Sequence, residues 1–235
     1  MFVHCEERLP PRSLILIGPG RYFGRNLLHR FAAEGFVVAS VGLVEAHATE
    51  LAASLAEDGV RLHWAIADVR DVDSLQTTLA QLMESLPPLH CLIYNPKVSV
   101  RGSGLHTAPR EVADALAVNV TGVVGAVQAT LAQLAAQRGC VILTGGGFKD
   151  EPDVDRFALS VGKAGLHGVA RGLVEPLRRQ GVRLKTVVID GFVRVGGPID
   201  PDDLANFYWQ VYRSRRRSVF RIGPRQRSHQ LSLEI

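Results

Sequence analysis

Residues 13–24 read SLILIGPGRYFG. An apolar run, residues 13–17, stops on Gly18, and Gly20 and Gly24 follow before a helical pattern begins. Glycine lets a backbone turn tightly and approach a pyrophosphate, and the helix that follows offers its free N–H groups to the phosphate charge. A glycine loop alone is a weak sign. Placed between a first strand and a first helix, it reads as the opening of a nucleotide-binding α/β unit.

The rest of the chain keeps the same rhythm. Strand-like runs at 13–17, 36–41, 60–66, 91–94, 140–143, 183–189 and 218–222 alternate with helical patterns at 22–34, 44–57, 72–86, 111–137, 154–179 and 201–212. Phe23, Leu27, Leu28 and Phe31 have helical spacing, and Pro87-Pro88 ends the third helix. Such alternation predicts one doubly wound α/β domain over residues 1–235, with a mainly parallel sheet of about seven strands and helices on both faces. Ligands then bind at the carboxyl ends of the strands.

Composition narrows the setting. Hydrophobic residues make up 46% of the 235, enough for a full core. No apolar run approaches the roughly eighteen residues that cross a bilayer, and the acidic start MFVHCEERLPPRS has no apolar leader core. Cys5, Cys91 and Cys140 show no metal spacing and read as reduced thiols, so a cytoplasmic protein without a metal is expected. The formal net charge of +4 comes from seven arginines at residues 213–227; without them the remainder is about three charges negative. This Arg-rich segment, 213–235, has no interleaved aromatic platform, so a solvated tail or subunit contact is expected and nucleic acid is not.

In order and spacing, these motifs resemble the short-chain dehydrogenases/reductases across nearly the whole chain. Gly18 and Gly24 match the first and last glycines of that family's T-G-x-x-x-G-x-G loop; Tyr22 stands at the middle glycine and Gly20 is a partial substitute. Tyr22 would crowd the phosphates or stack beside them. IADV supplies Asp68 and Val69 for the adenine ring, YNPK supplies Asn95, LAVNVTG supplies Asn119, SVGKAGL supplies Lys163, and VIDGFVRV supplies Gly191. The resemblance implies a Rossmann-like fold, a nicotinamide cofactor, a small-molecule substrate and pairing of the two long helices into homodimers or homotetramers. Near Leu43 no carboxylate is present to bind a ribose 2′-OH, and Arg21 in the loop can reach a 2′-phosphate, so NADP(H) is expected over NAD(H).

The departures concentrate where the chemistry should be. The family's proton-donating tyrosine is four residues before its lysine, on the same helix face; here that position is Leu159. The family's serine corresponds to Gly146, and the threonine that steadies the carboxamide to Val195. General acid catalysis contributes about 10²–10⁴ in rate, so ordinary carbonyl turnover should be weak. Candidate replacement donors are Thr144, Lys163 itself, His106 in the loop after the fourth strand, and Ser160, which is turned about 100° around the helix from Leu159. Tyr94 and His167 read as packing or surface residues. Three functions fit: an NADP(H)-dependent oxidoreductase with atypical chemistry, a nucleotide-binding pseudoenzyme, or a non-redox cyclase or isomerase using the same pocket.

Overall fold

Leu14 and Leu16 of the first strand are buried on one face of a sheet, and Ile15 and Ile17 on the other. A run that is apolar on both phases of a strand needs cover on both faces. This strand, β1 (Arg12–Ile17), lies inside a parallel sheet with β2 (Phe36–Gly42), β3 (Leu62–Ile66), β4 (Leu89–Tyr94), β5 (Cys140–Gly146), β6 (Arg183–Ile189) and β7 (Val219–Ile222). The order is β3-β2-β1-β4-β5-β6-β7, and each neighbouring pair is parallel. The computed structural model describes residues 10–20, 23–98, 101–215 and 218–224. Cys5, Arg21, Tyr22 and most of the Arg-rich segment lie outside them.

Seven α-helices are found among the described residues. On one face are α1 (Gly24–Ala32), α2 (Glu45–Ala56) and α7 (Pro201–Arg213), burying Leu27, Phe31, Leu55, Leu204 and Tyr208. Aromatic rings close this side: Phe31, Phe36, Trp209 and Tyr212 meet edge to face or stacked, at centroid distances of 5.3–6.2 Å. On the opposite face are α3 (Val72–Glu84), α4 (Pro109–Leu116), α5 (Gly122–Ala136) and α6 (Phe157–Arg179), with Leu75, Leu79, Val123, Ala126 and Leu166 in the core.

One expectation needs correction. Residues 111–137 are not a single α-helix, because a π-helical turn at Ala117–Thr121 separates α4 from α5. A widened turn frees carbonyls from the ordinary ladder. Side chains take them up: the Tyr94 hydroxyl donates to Val118 O at 2.5 Å, Asn119 Nδ2 to Ala115 O at 3.0 Å and Thr121 Oγ1 to Ala117 O at 3.0 Å. Periodicity cannot show this, because the extra residue is stabilised from β4. The stretch Pro109–Ala136 is long and apolar enough by composition to cross a membrane; half of its most apolar window is buried inside this fold. The sixth helix starts at Phe157 rather than residue 154, after a turn that leaves Val154 exposed.

The glycine loop is fixed by close approach. A Cβ on Gly24 would stand 2.1 Å from Pro19 O, whereas one on Gly20 would meet nothing within 4 Å, although Gly20 sits at φ +62. Gly20→Ala should therefore cost about 1–2 kcal/mol of left-handed strain. Gly24→Ala should cost more, since backbone must move. Urea denaturation of the two variants checks the order; equal costs would contradict the close approach.

Candidate functional site

Residues just beyond the carboxyl ends of all seven strands, or at them, line one cleft of about 1540 Å³. It lies across β1 and β4, where the strand order reverses, the expected place for a ligand in an open α/β sheet.

At one end the glycine loop is stapled to its neighbours. Gly18 N donates to Val41 O at 2.8 Å, and Asn95 Nδ2 donates to Gly18 O at 2.7 Å. Gly18 has φ +70, and a Cβ there would lie 2.8 Å from Pro96 N. The first turn of α1 carries no side-chain cap and no acid. Its N–H groups and dipole are therefore available to an anion at this loop. Ser40 Oγ, on the cleft wall, is buried without a partner. Past β2, Leu43 and Val44 are exposed on the wall, with Arg25 and His47 nearby on the lining. Glycines, an uncapped helix start and an orphaned hydroxyl fit the phosphate and adenosine parts of a dinucleotide.

Asp68 and Val69 also line this end. The Asp68 carboxylate is occupied: Arg70 donates to it from its backbone N at 2.9 Å and from its guanidinium at 2.6 Å. Those hydrogen bonds hold Asp68 below the usual carboxylate range. Arg70 also reaches Asp114 at 3.4 Å.

Lys163 lies on the floor of the other half. It is 6% exposed, and its Nζ donates to Thr144 O at 2.8 Å. Among the described residues no carboxylate pairs with it. Burial, reinforced by the positive charge of Lys97, brings its pKa down to about 7. Leu159, one helical turn earlier, lines the cleft beside it and is itself buried. Gly146 is extended, and a Cβ there would be 3.8 Å from Lys163 Cγ, so the position has room for a side chain.

The proposed substitute donors fare differently. Thr144 does not turn its hydroxyl to the cleft as expected, because that hydroxyl pairs with Tyr208 OH at 2.7 Å. Ser160 Oγ donates to Arg156 O and accepts from Asp153 N. His106 is exposed and away from the cleft wall. Tyr94 is a packing residue, tied to the π turn. His167 is half-buried, with Nδ1 unpartnered. Of these candidates Thr144 and Lys163 line the cleft, and the Thr144 hydroxyl is taken by Tyr208.

Of the residues singled out from sequence, the structure brings Gly18, Gly20, Asp68, Val69, Asn95, Lys163 and Gly191 to the cleft lining. Gly24 is buried behind the loop. Asn119 is also off the lining, fully buried against α6, where a Cβ on Gly162 would lie 2.7 Å from Asn119 Nδ2. Arg21 and Tyr22 fall outside the described residues. Val195 is 76% exposed and off the lining.

Sequence reading missed the rim. Arg221 of β7 donates to Asp190 at 2.7 Å and to Asp150 at 2.6 Å, tying together the ends of β5, β6 and β7. A Cβ on Gly147 would meet Asp190 Oδ1 at 2.2 Å, so the small residue is required there. One arginine of the basic segment is thus a structural tie. The signal was the acid in VIDG at the end of β6, where the family resemblance has proline.

This geometry has relatives. Residues 12–195 match the short chain dehydrogenase family. The chain belongs to that family. It is 29% identical to cis-2,3-dihydrobiphenyl-2,3-diol dehydrogenase of Paraburkholderia xenovorans (strain LB400) over 142 residues, 58% of this chain and 50% of that protein. The chain spans about half the length of this and similar curated relatives. Among solved structures, a metagenomic short-chain oxidoreductase in complex with NADP superposes with a TM-score of 0.80 at 19% identity, over 92% of this chain and 97% of that one. An NADPH-bound short chain oxidoreductase from Pseudomonas aeruginosa PAO1, containing an atypical catalytic center, gives 0.81 at 16%, over 90% and 95%. At these identities the likeness is one of fold.

Lys163 has a consequence for stability. Between about pH 7 and pH 10.5 the folded protein holds it mostly neutral while the unfolded chain holds it charged. The unfolded state then binds more protons, so wild-type stability rises with pH across that window relative to Lys163→Met, by at most about 1.4 kcal/mol per pH unit. Urea midpoints of both proteins across the window check it. A gap that does not change with pH would mean the amine stays charged in the fold.

Proposed function

We propose that this chain is an NADP(H)-binding oxidoreductase acting on a small carbonyl compound or alcohol, with Lys163 as proton donor in place of the missing phenol. The observation that carries the reading is a single cleft that joins the Gly18–Asn95 turn of the glycine loop to the buried amine of Lys163. The Gly18–Asn95 staple and the free start of α1 would hold the pyrophosphate. Val69 and the Asp68–Arg70 pair would flank the adenosine, and Lys163 with Gly191 the nicotinamide end. NADPH, when bound, supplies the hydride.

The remaining chemistry belongs to this chain. Only an ammonium carries a proton to give, so Lys163 acts on the substrate oxygen from its protonated form, and reduction should slow as pH rises through about 7. Leu159, Ile189, Phe192 and Val193 give the cleft an apolar lining that excludes water from the reacting carbonyl. The preference for NADP(H) is supported by the exposed Leu43 and Val44 where a ribose-binding carboxylate would stand.

A second reading, nucleotide binding without turnover, is favoured by Leu159 and Gly146, which supply neither proton nor hydrogen bond. Calorimetry with NADPH and NADH, then rate measurement on small ketones, separates the two. NADPH should bind at least about tenfold tighter, and wild-type turnover should be slow. Leu159→Tyr with Gly146→Ser restores both missing donors and should raise the rate by about 10²-fold or more. Absence of NADPH binding at millimolar concentration would overturn the cofactor assignment. A variant that binds NADPH and stays inert would favour the binding protein.

A further inference from the structure

We infer that the cleft is also an amine site for aldehydes and ketones, with Lys163 forming a reversible imine to the carbonyl carbon. Three features place this chemistry at Lys163. Among the described residues its Nζ is held by the Thr144 carbonyl alone, and no carboxylate locks it as an ion pair. It borders the cleft beside Leu159 and Gly146, which leave an apolar wall and an open position beside its stem. A second lysine, Lys97, stands at the same cleft close enough for its charge to act on the first. Desolvation and a neighbouring cation are the two means by which a lysine becomes an amine nucleophile near neutral pH.

The step balances without an oxidant. The neutral Nζ lone pair attacks the carbonyl carbon, and the C=O π pair moves to oxygen. A proton passes from nitrogen to that oxygen. The hydroxyl then leaves as water with a second proton, taken from solvent, and the nitrogen lone pair closes the C=N bond of the protonated imine. Hydrolysis reverses each step. Small, mainly apolar aldehydes and ketones are the class that fits, because Leu159 and Ile189 line this part of the cleft, Ile189 beside Gly146 and Lys163.

The chain makes the test clean, since it has only four lysines: Lys97, Lys149, Lys163 and Lys185. Lys149 is paired with Asp150 at 2.5 Å, and Lys185 is 3% exposed within β6. Wild-type protein without nucleotide is treated with propanal and sodium cyanoborohydride, and the reduced adduct is located by peptide mass mapping at several pH values. The adduct should form on Lys163 at least about tenfold faster than on Lys97 or Lys149 near neutral pH. Its rate should reach half its plateau near pH 7. Lys97→Met should move that midpoint upward, by removing the neighbouring cation. Lys163→Arg, shown folded by its melting transition, should lose the adduct. Adducts on Lys97 and Lys149 with Lys163 unmodified would overturn the inference, as would a Lys163 rate still climbing at pH values where free lysines titrate. The inference goes beyond the reductase reading. With no nucleotide in the experiment, its failure leaves that reading standing, and failure of NADPH to bind leaves the amine site standing.

Discussion

A lysine in a nearly closed interior, held by one backbone carbonyl, is the constraint around which the floor of the cleft is arranged. Burying an unpaired ammonium is costly, and the group answers by giving up its proton more easily. Thr144 provides the carbonyl, and its own hydroxyl is turned away to Tyr208 of α7. The same residue therefore positions Lys163 and withholds a competing donor from the cleft. Where the family resemblance would place a phenol, Leu159 adds apolar surface and deepens the desolvation. The substitution that removes one proton donor thus helps tune another.

The two halves of the cleft have departed unequally from the family pattern. At the glycine loop the contacts are backbone geometry: positive φ at Gly18 and Gly20, a carbonyl where a Gly24 side chain would be, and the Asn95 staple. At the floor the departures are side chains, Gly146 and Leu159. At the far rim a new tie, Arg221 between Asp150 and Asp190, joins three strand ends. A rigid rim with an altered floor is a frame on which different chemistry can be carried without changing the fold.

Much of this was legible in sequence because it follows from local rules. The apolar run of β1 fitted a covered sheet, and the strand–helix rhythm predicted that the sheet is mainly parallel, without its strand order. The glycines after β1 and the Leu159–Lys163 spacing could be read the same way. What was not legible depends on contacts distant in sequence. The π turn rests on Tyr94 reaching Val118 from another element. Thr144's hydroxyl is claimed by a residue 64 positions away, and Arg70 closes on Asp68 through a turn that no periodicity shows. The strand inside the Arg-rich segment was read at 218–222, but not the ion-pair tie that Arg221 makes from it, because Asp190 and Asp150 lie 31 and 71 positions away. Lys97 stood inside a recognised motif, yet its influence on Lys163 needs the loop after β4 and helix α6 together in space.

The central claim is that Lys163 is a half-neutral amine at physiological pH, and its titration measures that directly. With four lysines in the chain, the side-chain nitrogen and Cε signals of a uniformly labelled sample can be followed by NMR from mildly acidic to strongly alkaline pH, with Lys163→Arg identifying the resonance. One lysine, absent from the variant, should titrate near pH 7. If the Lys163 resonance instead titrates near 10.4, the ordinary lysine value, the account of the floor is wrong.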